Sequence, residues 1–337
     1  MDLRYGDAMT NAGTPDGLVE PGLVELTGEQ WLERAGADPA PPGAEAEPRP
    51  AQVTDGIAIH DPDRSAPDLA ASHRPLAGLV ASLVAVHDAR RQAVTRFTGP
   101  ALGPTPYVVG VTGAVAAGKS VTAHVLAATL TAAHGVRAEV VSTDGFLFDN
   151  GELEARGLSD RKGYPESYDH LGLISFLETV KAGRAAGAPV YDHDRYDVID
   201  GRTQLVDRPD VLVLEGLNVL QPAPPPPDGP ADRRAGLLVS DFVDFAVYVD
   251  ADEDDLLAWF LLRLQALRAA AAGDPSSFFA VFEGLSDDAF AAAGRAVWAG
   301  VNRPNLVHHI APTRDRADLV MEKARDHSVR RVVVRPR

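Results

Sequence analysis

Residues 113–120 have the composition and spacing of a loop that holds phosphate groups. They read Gly-Ala-Val-Ala-Ala-Gly-Lys-Ser, so two glycines precede a lysine and a hydroxyl residue. Glycine lets backbone N–H groups approach a phosphate closely, and the N-terminus of a following helix adds positive potential. Lys119 would neutralise the β- and γ-phosphates of a nucleotide, and Ser120 would ligate Mg²⁺. The predicted nucleotide-binding residues are Gly113, Ala114, Val115, Ala116, Ala117, Gly118, Lys119, Ser120 and Val121.

Two carboxylates follow apolar, strand-like runs further along the chain. Asp144 comes after residues 140–143, and Glu215 closes residues 211–214. Because parallel strands end at one sheet edge, where α/β sites form, both carboxylates are expected there. Asp144 could accept the hydroxyl proton in phosphoryl transfer to an alcohol, and Glu215 could hold Mg²⁺ through water. Taken alone, Glu215 could be an ordinary strand-end acid, and Asp144 could belong to an Asx turn with Gly145 at positive φ.

The elements that must position these residues alternate between strands and helices. Buried strands are predicted over residues 107–111, 138–142, 211–214 and 242–249. Helices are predicted over residues 76–97, 119–134 and 171–183. The strand–helix–strand order and the unbroken apolar strands predict an α/β fold with a mainly parallel β-sheet flanked by helices.

The chain is predicted to hold one large domain and an N-terminal arm. The domain covers residues 75–337 and includes a helical substrate-binding region over residues 254–306. Residues 1–74 are rich in Pro, Gly, Ala and Asp, which predicts a weakly ordered arm. Within this arm we expect a short helix near residues 26–35, with Thr27 as its N-cap.

Charge and composition exclude several classes of function. The chain has 48 acidic residues against 32 Lys and Arg, a net charge of −16, which argues against broad binding to nucleic acid or an anionic membrane. The absence of cysteine excludes disulfides, thiolate nucleophiles and cysteine-ligated metals. No apolar run approaches a membrane span, and the N-terminus does not read as a signal peptide, so we expect a cytoplasmic protein.

With the phosphate loop and the two carboxylates in this order, the sequence resembles the bacterial type I pantothenate kinases. Further segments match that family in family order from about residue 75 to the C-terminus. They include Thr143-Asp-Gly-Phe146, Arg161-Lys-Gly-Tyr-Pro-Glu-Ser-Tyr168, Pro189-Val-Tyr-Asp-His193, Leu214-Glu-Gly-Leu-Asn-Val-Leu-Gln221 and Pro312-Thr-Arg314. The resemblance implies a P-loop kinase fold. It also implies phosphorylation of the terminal hydroxyl of pantothenate to 4'-phosphopantothenate by MgATP, the first step of coenzyme A synthesis.

The resemblance also implies roles for individual residues. Asp144 would be the catalytic base, Arg263 would approach the transferred phosphoryl group and the substrate, and His327 would lie near the adenine. Lys162 would have a supporting polar role. The implied pantothenate-binding residues are Asp144, Tyr191, His193, Tyr196, Arg263 and Asn302. Members of the family are typically homodimers and are inhibited by coenzyme A in competition with ATP.

Several positions depart from the family pattern. Val121 stands where threonine is usual, and His124 stands where arginine is usual, in the neighbourhood that coenzyme A uses. We therefore expect feedback inhibition of altered strength. Phe260, Phe278 and Phe282 replace hydroxylated or polar aromatics, and the loss of hydroxyls shifts a pocket towards apolar ligands. We expect the affinity for pantothenate to be altered.

Other functions are compatible with the same motifs. A P-loop small-molecule kinase related to uridine kinase or phosphoribulokinase would carry a similar loop and similar carboxylates. A divergent, non-catalytic nucleotide-binding paralogue would not be expected to retain Lys119, Ser120, Asp144 and Arg263 together. A sheet-and-helix protein with an accidental phosphate loop would not bind nucleotide at all.

Each implied substrate-binding residue also has an ordinary structural explanation. A Tyr/His cluster such as residues 191–196 is usually polar decoration of a surface loop. Arg263, with Trp259 and Leu267 four residues to either side, could be a snorkelling surface arginine. Asn302 could be a turn residue before Arg303-Pro304.

Overall fold

The computed structural model describes residues 22–34, 66–99, 104–222 and 233–335, in which nine strands and a set of helices are found. The strands are β1 (Val24–Thr27), β2 (Tyr107–Gly113), β3 (Ala138–Ser142), β4 (Ala186–Asp192), β5 (Asp197–Val206), β6 (Val211–Glu215), β7 (Phe245–Ala251), β8 (Leu319–Lys323) and β9 (Val329–Val334). The helices are α1 (Gly28–Glu33), α2 (Ala66–Thr98), α3 (Lys119–His134), α4 (Asn150–Ala155), α5 (His170–Lys181), α6 (Glu253–Ala270), α7 (Asp287–Val297) and α8 (Arg303–Asn305). The predicted strands and helices are all present; β3 and α3 have the predicted ends, and each of the others is shifted at one or both ends.

Seven strands form one sheet, in the order β1-β9-β8-β7-β2-β6-β3. Strands β2, β3, β6, β7 and β8 pair in parallel, whereas β9 is antiparallel to both β8 and β1. The predicted α/β fold with a mainly parallel sheet is therefore confirmed. Because β2 lies between β6 and β7, the phosphate loop that follows β2 has the end of β6 beside it.

Apolar side chains cover both faces of the central strands, which explains why these strands read as continuous apolar runs. Alternate residues of β2 point to opposite faces. Val109 and Val111 pack with α2 and α3, whereas Val108 packs with α5. No helix in residues 22–34, 66–99, 104–222 or 233–335 has both the length and the hydropathy to cross a membrane.

The helix before the sheet is longer than predicted. Helix α2 begins at Ala66, so the prediction of a poorly ordered arm is wrong for residues 66–74. His73 of this segment is buried, and its Nε2 lies 3.3 Å from the Thr122 hydroxyl on α3. Such buried contacts stabilise a helical start that the local sequence does not signal. The rest of the predicted arm, residues 1–21 and 35–65, lies outside the described residues.

The short N-terminal helix expected near residues 26–35 corresponds to α1, Gly28–Glu33. The Thr27 hydroxyl accepts a hydrogen bond from the Gln30 amide at 3.2 Å, and the Gln30 side chain accepts one from the Thr27 amide, which forms a capping box. Trp31 is buried, and its indole N–H donates to the Ser72 carbonyl at 3.2 Å. Helix α1 is thereby attached to α2.

A separate hairpin was not predicted from the sequence. Strands β4 and β5 pair with each other in antiparallel fashion and belong to no larger sheet. Most of β5 is exposed and polar, so it lacks the apolar run by which the central strands are recognised. This hairpin carries three of the predicted substrate-binding residues into the site.

Candidate active site

The phosphate loop has the predicted strand–loop–helix context. Gly113 (φ 139°) and Gly118 (φ 86°) adopt backbone conformations that favour glycine. A Cβ on Gly113 would also overlap the carbonyl oxygen of Val249 on β7. The ammonium group of Lys119 lies over the loop, because it donates to the Ala114 carbonyl at 2.8 Å. The loop is thus shaped to direct backbone N–H groups and one cation towards a phosphate.

Lys119 lies in a strongly charged interior. Burial lowers the pKa of Lys119, and the nearby carboxylates of Glu215 and Asp144 oppose this shift. Burial raises the pKa of Glu215, and the neighbouring charge of Asp144 raises it further, whereas Lys119 lowers it. Two carboxylates and a lysine therefore share one desolvated pocket, in which added positive charge is stabilising.

Ser120 and Glu215 lie side by side at the carboxyl edge of the sheet. The Ser120 hydroxyl donates to Glu215 Oε1 at 3.2 Å, and Glu215 is 6% exposed. Among the described residues, no group of three or more His, Asp or Glu side chains could hold a metal ion by itself. A hydroxyl and one carboxylate suit Mg²⁺, which commonly takes its other ligands from water and substrate phosphates.

Asp144 lies in a short 3-10 turn, Thr143–Phe146, which directly follows β3. The Ser142 hydroxyl accepts a hydrogen bond from the Asp144 amide at 3.3 Å, and the Tyr168 hydroxyl donates to Asp144 Oδ1 at 3.4 Å. Gly145 is not at positive φ, so the alternative that required this conformation is wrong. The glycine is needed for another reason: a Cβ there would overlap the Pro189 carbonyl oxygen on β4.

A second glycine brings the two carboxylates together. A Cβ on Gly216 would overlap the Thr143 hydroxyl oxygen, so the chain beyond β6 lies directly against the chain beyond β3. Ser142 and Glu215, the last residues of β3 and β6, are paired in the sheet register. The structure therefore places Asp144 and Glu215 at one sheet edge, as predicted.

The close approach at Gly145 makes a testable prediction. Gly145→Ala should push β4 away from the Asp144 turn and reduce stability by about 1–3 kcal/mol, which is typical of overpacking. Urea denaturation would measure this change. Gly187→Ala on the same hairpin is the matched control, because its Cβ would meet Thr203 at an ordinary contact distance of 3.5 Å. Equal stability of the two variants would contradict the role assigned to Gly145.

The predicted aromatic residues cluster at the tip of the hairpin. Tyr191 lies near the end of β4, and His193 and Tyr196 lie in the turn before β5. The Tyr191 ring is 5.2 Å from that of His193 and 6.3 Å from that of Tyr196, between centroids. Burial raises the pKa of Tyr191 and lowers the pKa of His193, and the charges of Asp144 and Arg263 act on both. The structure therefore brings the hairpin tip to Asp144.

Arg263 faces the same pocket from helix α6. Burial lowers its pKa, while Asp144 and Glu215 raise it, so the guanidinium lies in their field. Its Nε atom is buried and has no hydrogen-bond partner among the described residues. The alternative of a snorkelling surface arginine is wrong. Arg263 adds the second cation opposite the two carboxylates.

His327 contacts helix α6, and Asn302 precedes helix α8. His327 stacks on Trp259, one turn before Arg263 on α6, with ring centroids 4.1 Å apart. Asn302 ends a π-helical segment, Trp298–Asn302, which continues into α8, so the alternative of a turn is wrong. The neighbouring Val301 carbonyl accepts a hydrogen bond from the Tyr164 hydroxyl at 3.1 Å.

The three phenylalanines that were predicted to alter the pocket occupy different places. The Phe278 ring stacks on Tyr196 at 4.8 Å, so Phe278 adjoins the hairpin tip, and Phe282 lies behind it with ring centroids 5.9 Å apart. Phe260 is 7% exposed and packs against Trp298 at 5.6 Å within the hydrophobic core. Phe260 thus contributes to the core that supports the site.

Two residues of the Arg161–Tyr168 motif contact the site: Lys162, for which a supporting polar role was predicted, and Tyr168, to which no role was assigned from the sequence. Tyr168 donates to Asp144, and Lys162 Nζ lies 4.3 Å from the centroid of the Tyr196 ring. The match of this motif to the family pattern is the sequence feature that could have identified both residues. On α3, Val121 is buried and His124 is exposed.

Known kinases are similar to this chain in sequence. Residues 108–272 match the phosphoribulokinase / uridine kinase family. A pantothenate kinase of Mycolicibacterium vanbaalenii is 46% identical over 266 residues, which cover 76% of this chain and 82% of that one. A pantothenate kinase of Streptomyces coelicolor is 42% identical over 316 residues, which cover 93% of each chain.

Solved structures share the fold. A putative fructose transport system kinase from Silicibacter sp. TM1040 matches with a TM-score of 0.51 at 29% identity, over 71% of this chain and 97% of that chain. D-glycerate 3-kinase from Cryptococcus neoformans matches with a TM-score of 0.51 at 16% identity, over 75% and 97% of the two chains, a likeness of fold alone. The predicted P-loop kinase fold is confirmed.

Proposed function

The chain belongs to the pantothenate kinase family, and we propose that it transfers the γ-phosphoryl group of ATP to the terminal hydroxyl of pantothenate. The observation that carries this proposal is 42% identity to a pantothenate kinase over 93% of both chains. That coverage includes the hairpin and helix α6, which lie beside the acceptor site. It favours pantothenate over the uridine or ribulose 5-phosphate that the broader family match would also allow.

The acceptor hydroxyl would lie between Asp144 and the transferred phosphoryl group. Asp144 takes the hydroxyl proton as the oxygen bonds to the γ-phosphorus and the bond to the ADP oxygen breaks. Tyr168 orients the carboxylate, because it donates to Oδ1. The products are ADP, 4'-phosphopantothenate and a proton held on Asp144.

Lys119 and Arg263 would stabilise the negative charge that spreads over the phosphoryl oxygens. Both cations lie in a desolvated pocket, where electrostatic stabilisation is stronger than in water. The N–H groups of the phosphate loop would hold the β-phosphate. His327, stacked on Trp259, would lie beside the adenine.

Ser120 and Glu215 are the residues that would hold Mg²⁺, Ser120 directly and Glu215 through water. When bound, Mg²⁺ neutralises charge on the phosphate oxygens. The hydrogen bond from the Ser120 hydroxyl to Glu215 Oε1 supports this assignment, since it places a hydroxyl and a carboxylate side by side.

Glu215→Gln tests the Mg²⁺ assignment. The amide keeps the size of the side chain but loses its charge, so half-maximal activity should need about 10–100-fold more Mg²⁺. Titrating Mg²⁺ at saturating ATP measures this shift. Glu139→Gln, on the neighbouring strand β3, is a matched control. An unchanged Mg²⁺ requirement in Glu215→Gln would remove Glu215 from the site.

The activity itself is tested by coupled ADP release with pantothenate, uridine and ribulose 5-phosphate as separate acceptors. We expect turnover with pantothenate. Brisk turnover with another alcohol and none with pantothenate would overturn the proposal. The interpretation that pantothenate affinity is altered is supported by Phe278, which presents a ring without a hydroxyl beside Tyr196.

Coenzyme A is proposed as an inhibitor that competes with ATP. His124 lies on helix α3, one turn after Ser120, where the family usually has arginine. Adding coenzyme A to the same assay at several ATP concentrations tests the proposal and measures the inhibition strength.

A homodimer is also proposed. Val86, Val94 and Phe97 project from α2 with 66%, 41% and 93% of their surface exposed. Apolar side chains so exposed along one helix support a contact with a second copy.

A further inference from the structure

The tip of the β4–β5 hairpin contains a strained residue. Tyr196 has a φ of 54°, in the left-handed region that side chains with a Cβ rarely adopt. Such a conformation persists where neighbouring groups hold it. Two side chains from outside the hairpin donate hydrogen bonds to the Tyr196 carbonyl: Asn150 Nδ2 at 3.2 Å and Lys162 Nζ at 2.6 Å.

Asn150, the first residue of α4, connects these contacts. Its Oδ1 accepts a hydrogen bond from Lys162 Nζ at 2.7 Å, while its Nδ2 donates to the Tyr196 carbonyl. Its backbone N–H donates at 3.0 Å to Oδ1 of Asp197, the residue that follows Tyr196. One amide side chain thus fixes both the backbone of Tyr196 and the ammonium group that lies over its ring.

The opposite side of the tip is held by a different segment. The Phe278 amide donates to the Asp194 carbonyl at 2.7 Å, and the Phe278 ring stacks on Tyr196. Tyr196 therefore lies between Phe278 and the Asn150–Lys162 pair. The contact through Phe278 does not involve the Tyr196 carbonyl, which accepts its side-chain hydrogen bonds from Asn150 and Lys162.

We infer that Asn150 is a positioning residue for the acceptor site: it holds the Tyr196 carbonyl and thereby fixes the Tyr191, His193 and Tyr196 side chains towards Asp144. Asn150 itself need not touch the substrate. The inference rests on the proposed function for the identity of the acceptor. The position of Lys162 supports it, because Lys162 Nζ donates to both the Asn150 side chain and the Tyr196 carbonyl. Burial lowers the pKa of this lysine, and the charge of Asp144 acts to raise it.

Asn150→Ala tests the inference, because it removes both side-chain hydrogen bonds and leaves the backbone bond to Asp197. We expect the KM for pantothenate to rise roughly tenfold, the effect of one lost hydrogen bond, with the KM for ATP and the Tm nearly unchanged. Glu152→Ala, an exposed residue on the same helix that pairs with Arg156, is the matched control. Parallel rises in both KM values, or no change, would overturn the inference.

Asn150→Asp separates the two hydrogen bonds. A carboxylate still accepts from Lys162 but cannot donate to the Tyr196 carbonyl, so this variant should also raise the KM for pantothenate. A wild-type KM in Asn150→Asp would show that the donated bond is dispensable and would overturn the inference.

Hydrogen exchange gives a readout that does not depend on the acceptor. Amides of residues 193–197 should exchange roughly tenfold faster in Asn150→Ala than in Glu152→Ala. Faster exchange without any pantothenate turnover in the wild type would refute the proposed function and retain the positioning role. Unchanged exchange would refute the positioning role alone.

Discussion

Replacing Asp144 with asparagine is expected to reduce kcat by about 10²–10⁴-fold, the usual contribution of a general base. The amide has the shape of the carboxylate and still offers an oxygen to the Tyr168 hydroxyl, but it cannot take a proton. ATP affinity should change little, because the phosphate loop and Lys119 remain. Steady-state kinetics with pantothenate measures the first effect, and equilibrium titration with a nonhydrolysable ATP analogue measures the second.

The charge environment makes this variant informative. Asp144 raises the pKa of Glu215, so its neutralisation should let Glu215 ionise more readily and should not weaken Mg²⁺ binding. Asp160→Asn, an exposed carboxylate in the turn Ser159–Arg161, is the matched control. If Asp144→Asn kept kcat within about tenfold of the wild type, the base would have to be sought elsewhere.

The residues that could be predicted from the sequence are those whose position depends on local pattern. The phosphate loop and Asp144 each follow an apolar strand, and a strand of a parallel sheet fixes where the following residue lies. The fold class could be predicted from the same apolar strands. From the sequence, Gly145 was considered only as a positive-φ residue of an Asx turn; its actual constraint, the closeness of the Pro189 carbonyl, depends on a hairpin more than 40 residues away.

The residues that could not be predicted depend on contacts between distant segments. The β4–β5 hairpin has no apolar run, and its tip is positioned by Asn150 and Phe278 from separate parts of the chain. Phe260 was expected in the pocket, but it packs against Trp298, because side-chain direction on α6 is decided by the neighbouring helix. Residues 66–74 were predicted to be part of a poorly ordered arm, but they are helical, and His73 within them is buried against Thr122.

Arg263→Ala is expected to lower kcat by about 10³-fold or more, as the loss of a transition-state arginine does in other phosphoryl-transfer enzymes. Arg263 and Lys119 are cations that each lie in the field of both Asp144 and Glu215. Removing one leaves the carboxylates with less compensation, so the pKa of Glu215 should rise further. The substitution should lower kcat more than it raises KM, because the contact between the guanidinium and the phosphoryl oxygens strengthens as negative charge develops on them.

Arg263→Lys separates charge from shape. Lysine restores a cation but not the planar fork that can contact two oxygens at once, so kcat should recover in part. Added guanidinium ion should raise the activity of Arg263→Ala and leave that of Arg263→Lys unchanged. Arg268→Ala is the control on the same helix, since Arg268 pairs with Asp287 at 3.3 Å and not with Asp144 or Glu215. An equal loss in Arg268→Ala would mean that the helix, and not the guanidinium of Arg263, is what catalysis requires.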